Sequence, residues 1–279
     1  MKRTTAPFDR RTVDDLVIGD ERAFRHVALY ADLKEVLRRA AYPFRVLRGA
    51  SSGRADRALL LNLSFWAADV GGDVLPDASI EADVVAHAAW HHLAARQLAS
   101  AAGRPPSIEA LFLGEAIASA FDVYLVGRLL AHASRSTFLE TQVPAMAETA
   151  RAAGLSKASF ARLLADIAAH PELSFESLRE LLCDATAALL ACSTAEQALG
   201  ALGAFDRHRF HALLHRYELS NWVLYARAYG REGPDRRARA VDGALRGAKA
   251  PLDWLAARWI APALATPDAG SQGTRSSRP

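Results

Sequence analysis

Stretches in which apolar and polar residues alternate with a period of two are almost absent from this chain, so it is not expected to be built mainly from half-buried β-strands. Helix signals recur instead. Thr137 with Glu140, Ser177 with Glu180 and Thr194 with Gln197 have capping-box spacing, and each is expected to open a helix. Breaks fall at Gly154, at His170-Pro171 and at Gly200 and Gly203. From Asp20 to Ala41 apolar residues recur near helical spacing, and Pro43 ends that run. The expected fold is mainly α, a single helical domain over residues 14–265, with room for one or two short strands near 44–65. Phe44 to Leu47 reads as a short strand or extended chain, and Leu59 to Phe65 as a strand or a buried helix. Residues 1–13 are polar and expected to be flexible. Residues 266–279 are rich in Pro, Gly, Ser and Arg and are expected to be a disordered tail.

Two consecutive helical stretches concentrate the chemistry. On Glu81 to Leu98, EADVVAHAAWHHLAARQL, residues four apart share a face, which lines up Asp83, His87 and His91. Trp90, Ala94 and Leu98 run along that side, which points it into the protein, whereas Val85, His92 and Arg96 sit nearer the opposite side. Gly103 to Pro106 then stop the chain, and Ser107 is a good N-cap for a second helix reaching about His132. On it Glu115, Ser119 and Asp122 share a face with Ile108, Leu111, Val126 and Leu129. Inward carboxylates must be paired or bound to a metal, because desolvating an isolated charge is costly. Two readings stand side by side at this point: a metal site, or a hydrogen-bonded cluster in which the carboxylates serve the imidazoles.

His87-Ala88-Ala89-Trp90-His91 resembles the HExxH zinc motif of metallopeptidases, and Gly114-Glu115-Ala116-Ile117-Ala118-Ser119 resembles the downstream glutamate helix of the thermolysin-like, or gluzincin, zincins. The resemblance implies zinc held by His87, His91 and Glu115 with water in the fourth position, and Asp83, Ser119 and Asp122 as supporting residues around them. It also implies metal-assisted peptide hydrolysis, with a peptide or protein as partner. The family's general base is missing, since Ala88 stands where a glutamate would take the proton from water. A metal-binding pseudo-enzyme, a substitute base such as Asp83 or Glu81, and a chance likeness all remain open. A non-enzymatic helical scaffold or interaction protein is the alternative. A carboxylate-bridged di-metal protein is a third, but the paired Glu-x-x-His motifs of such sites are absent.

The remaining features carry less. Gly49-Ala50-Ser51-Ser52-Gly53 has the G-x-S-x-G form of a hydrolase elbow, but a buried strand and parallel sheet around it are not visible, and a flexible turn flanked by Arg48, Arg54 and Arg57 is the simpler reading. His208, His211, His215 and Glu218 are spaced to share one helix face, which suits tetrahedral zinc poorly and is expected to be exposed among arginines. A fourth ligand for the first site from this group is the other option. Cys183 and Cys192, read as lying on one helix, form no metal or redox motif and suggest a reducing compartment. With a net charge of +3, no signal-peptide pattern and no apolar run near the length of a membrane span, a cytoplasmic protein without nucleic-acid partners is expected. Gly230 to Arg239 reads as a basic loop, and Asp253 to Leu264 as an amphipathic helix packed on the body.

Overall fold

Helices carry the architecture, as a computed structural model of residues 8–48, 73–99, 104–132 and 135–265 shows. The first element is a strand, β1 (Phe8–Arg11), followed by a 3-10 turn at Val13–Asp15 and by β2 (Val17–Gly19). Then come α1 (Glu21–Phe24), α2 (Ala28–Arg39), β3 (Phe44–Leu47), β4 (Val74–Leu75) and β5 (Ser79–Glu81). The body follows: α3 (Ala82–Gln97), α4 (Ile108–Ala131), α5 (Thr137–Ala152), α6 (Lys157–Ala169), α7 (Pro171–Leu190) and α8 (Ala195–Gly203). A 3-10 segment, His211–Tyr217, leads to α9 (Leu219–Tyr229), α10 (Arg236–Gly247), α11 (Pro251–Leu255), a π turn at Ala256–Ile260 and α12 (Ala261–Ala265).

Everything is arranged around α4. It packs most extensively on α7, then on α3 and α6, and nineteen of its 24 residues are buried. Ser107 caps it as its spacing suggests, accepting from the Ala110 N–H at 3.0 Å. Among the described residues α4 is also the one helix long and apolar enough to cross a membrane, with mean hydropathy 1.5 over an 18-residue window, of which 89% is buried inside the protein. Sequence reading passes over it because Glu115, Ser119 and Asp122 interrupt the apolar run.

The strands form two small sheets. In one, β1 pairs antiparallel with β3, Phe8 opposite Leu47, and β3 pairs parallel with β4. In the other, β2 and β5 run parallel, which delivers the chain straight into α3. Phe8–Arg11, expected to be loose, is therefore a strand: its partner lies far along the chain, and Arg48 ties it down through Asp9 at 2.6 Å. Phe44–Leu47 is a strand. The G-x-S-x-G turn, Arg54, Arg57 and Leu59 to Phe65 lie outside the described residues.

Three local readings are corrected. Ser136, not Thr137, caps α5, accepting from the Leu139 N–H, and it donates to Asp20 at 2.5 Å. Ser177 lies inside α7, which starts at Pro171, where the ring satisfies the first-turn rule without needing a capping box. Cys192 lies beyond the end of α7, so the two cysteines, both free and partly buried, do not share a helix. Thr194 does cap α8, and the segment after Pro251 packs on the body through Leu255, Trp259 and Ile260. The expected loop after Gly230 gives way at Asp235, which caps α10 by accepting from the Arg237 and Ala238 N–H groups.

Candidate metal centre

Small residues decide how closely α3 and α4 approach. Helix α3 buries Ala82, Ala86, Ala88, Ala89 and Ala94, and a Cβ placed on Gly114 would lie 3.1 Å from that of Ala94. Glycine in a helix interior costs about 1 kcal/mol relative to alanine, so its place here answers a need for close approach. Glu115, the next residue, is thereby brought against the histidines of α3. Trp90 of α3 also faces α4, packing edge-on against Phe121 with ring centroids 5.4 Å apart.

The three side chains converge. His91 Nε2 lies 3.1 Å from His87 Nε2 and 3.1 Å from Glu115 Oε2, and His87 Nε2 lies 3.9 Å from Glu115 Oε1. One ligand atom from each of the three falls within 4.8 Å of the others, and among the described residues this is the only group that could hold a metal ion in that way. Zinc–ligand bonds of about 2.0–2.1 Å in a tetrahedron separate the ligand atoms by about 3.3 Å, a spacing these distances bracket. The donor set of two imidazole nitrogens and a carboxylate therefore fits a divalent ion.

The surroundings orient the donors. Asp122 Oδ2 sits 3.3 Å from His87 Nδ1, so the neutral ring donates from Nδ1 and leaves its Nε2 lone pair facing the shared point. Ser119 Oγ donates to Glu115 Oε1 at 3.3 Å. Asp83, on the first turn of α3, reaches this group through charge and not through a hydrogen bond among the described residues. Exposure falls from the mouth inward: Asp122 33%, His87 28%, Glu115 12% and His91 5%. Asp122 and His87 are thus partly exposed, whereas His91 is buried.

Charge is the tightest constraint. Burial alone would push the His87 imidazole down, but the carboxylates of Asp122, Glu115 and Asp73 outweigh it and lift the group to about 9. Burial, reinforced by Asp122 and Glu81, raises Asp83 to about 6. For Glu115 burial pulls upward, yet His91, His87 and Ser119 hold the carboxyl below its usual range. Four acids thus gather on two imidazoles, and the nearest strong influences on His87 are all negative. Such a pocket favours a cation.

Asp73 was missed in the sequence because the residues before it, Gly71 and Gly72, make it read as part of a connection and not as a site residue. It is 5% exposed, accepts from the Tyr42 hydroxyl at 2.9 Å, and acts on His87 through charge. Tyr217 is a second omission: burial raises its phenol and Asp122 adds to that, although Arg216 opposes it. Only the spacing of His215 to Glu218 hinted at this segment. His92, expected opposite the buried side, is itself 5% exposed and meets Tyr42 edge-on at 5.3 Å, because α3 is enclosed by α2 as well as α4. Ala88 is 1% exposed.

The second histidine group does not assemble. His208 precedes the 3-10 segment, and Glu218 has φ 47°, so the four residues share no α-helical face. His208 Nδ1 accepts from the Phe210 N–H at 3.1 Å, which puts the proton on Nε2, 3.2 Å from Ser177 Oγ. The ring therefore donates to Ser177 and cannot serve it as a base. His211 Nδ1 donates to the His208 carbonyl at 2.8 Å, and of the three histidines His215 alone is exposed. None of these residues joins the first cluster.

No protein-family model matches this chain, and no curated protein or solved structure matches it either.

Proposed function

We propose that this is a zincin-like protein in which His87, His91 and Glu115 hold a zinc ion, with peptidase activity weak or lost because Ala88 stands where a general base is needed. The observation that carries the reading is the convergence of both Nε2 atoms and the Glu115 carboxylate on one point, with Asp122 behind His87. When bound, zinc supplies Lewis-acid polarisation of a carbonyl and lowers the pKa of its water. The chain's own residues contribute orientation: Asp122 fixes the His87 tautomer, Ser119 steadies Glu115, and the exposed side at His87 and Asp122 gives a peptide or protein substrate its approach.

The rival is a metal-free polar core in a helical scaffold. It draws support from the same distances, since an Nε2–H on His91 has both His87 Nε2 and Glu115 Oε2 within 3.1 Å. Elemental mass spectrometry of the protein after zinc dialysis, beside His87→Ala/His91→Ala, separates the two. One equivalent of zinc in the wild type and none in the double variant supports the metal site. Equal, sub-stoichiometric zinc in both rejects it.

A further inference from the structure

Helix α10 is held differently from its neighbours. Of its twelve residues only Ala238 and Leu245 are buried, with Val241 partly so. Polar contacts do the docking onto α4 and α7. Ser107 Oγ donates to Asp235 at 2.6 Å, and the Asp235 N–H donates to Glu109 at 2.8 Å. Arg239 forks onto Glu109 at 2.6 and 3.0 Å. Asp242 accepts from Arg179 at 2.6 Å and from Arg246 at 2.8 Å, and Arg246 also reaches Asp184 at 2.7 Å. Beneath lies a crevice of about 180 Å³ with Phe112, Leu113 and Cys183 in its wall.

The helix is also weak in itself. A Cβ on Gly243 would meet nothing within 4 Å, so packing does not require glycine there, and its presence mid-helix weakens the helix. Twelve residues do not sustain a helix in water without tertiary support. The outer ion pairs are solvated, Arg239 being 63% exposed and Asp184 52%, which makes them individually weak and open to screening. Arg179 is fully buried, but when α10 leaves it keeps Glu176, bound through Nε at 3.1 Å and Nη2 at 2.6 Å. Undocking therefore strands no buried charge.

We propose that α10 is an ion-latched flap that undocks from α4 and α7 as a local unit, opening the crevice while the helical body stays folded. Local opening of this kind is expected where buried apolar contacts are few and the docking contacts are exposed. The inference is independent of metal binding.

Hydrogen exchange of the full chain, read by mass spectrometry, tests it. In low salt the α10 amides should exchange at least about tenfold faster than those of α4 and α7. Raising NaCl to about 1 M should speed α10 a further two- to thirtyfold, the range expected for loss of two exposed pairs, and leave α4 and α7 unchanged. Gly243→Ala should slow α10 exchange about fivefold, and Asp184→Asn should speed it and blunt the salt response. Exchange of α10 in step with α4 and α7, or indifferent to salt and to both variants, would overturn the proposal.

Discussion

Replacing Asp122 by asparagine keeps the shape behind His87 but removes its charge, and two opposed consequences follow. The carboxylate orients the ring and makes it a stronger donor, so its loss should weaken zinc binding about 10- to 100-fold. The same carboxylate is the main charge lifting His87 to about 9. Zinc must displace that proton, so the wild type should bind about 50-fold more weakly at pH 7 than at pH 9, where half of His87 is already deprotonated, a difference of about 2.3 kcal/mol. In the variant His87 falls back toward its ordinary 6.5, and most of this competition disappears. The two effects should nearly offset at about pH 7, and the variant should become clearly weaker by about pH 9. Competition with a chromogenic chelator across that range measures both. The wild type should show log K rising by about one per pH unit between about pH 7 and 9, and the variant a much flatter line. Parallel lines for the two proteins would refute the reasoning, since Asp122 would then not set the proton affinity of His87, and coincident lines would show that it does not hold the ring either.

Three further outcomes are expected. Asp83, raised from 3.8 to about 6, takes up its proton earlier in the folded state than in the unfolded one, so metal-free stability should fall as pH rises from about 4 to 6. Asp83→Asn should therefore stabilise the metal-free protein by up to about 3 kcal/mol at neutral pH and by little near pH 4, as urea titrations would show. Arg179→Ala should cost about 3–5 kcal/mol by leaving Glu176 without its guanidinium and Asp242 with Arg246 alone, and Arg179→Lys should recover only part of it; equal stability of all three proteins would contradict the pairing. Gly114→Ala sets a helix-propensity gain of about 1 kcal/mol against the approach to Ala94, so its melting temperature should change little while zinc affinity drops at least about tenfold as α3 and α4 part. Unaltered zinc affinity in that variant would show that the ligands do not depend on the close approach.

The helices that carry the site were legible because their signals are local. Ser107 and the Gly103 to Pro106 stop define the start of α4, and the i, i+4 geometry of His87 and His91 requires nothing beyond a helix. Glu115 and Asp122 were legible as inward carboxylates, since periodicity alone places them with Leu111 and Val126. What escaped depends on contacts across the chain. Strand β1 exists through pairing with β3 well along the chain, Phe8 with Leu47 and Arg11 with Phe44, a partnership its polar sequence does not announce. His92 was misplaced because a helix packed on both sides has no exposed face for periodicity to find. The spacing of His208 to Glu218 suggested one face, but the chain tightens to 3-10 geometry and turns left-handed at Glu218, which scatters those side chains. Asp73 enters the site only through the fold, from a stretch whose sequence carries no site signal.

Anomalous diffraction at the zinc absorption edge, from crystals grown with about one equivalent of zinc, reads the site directly. The account predicts a single strong peak about 2.0–2.2 Å from His87 Nε2, His91 Nε2 and a Glu115 carboxylate oxygen, with Asp122 still on His87 Nδ1. A peak elsewhere, or none while His91 Nε2 keeps its 3.1 Å contacts to His87 and Glu115, would contradict it and leave a polar core cluster in a helical scaffold.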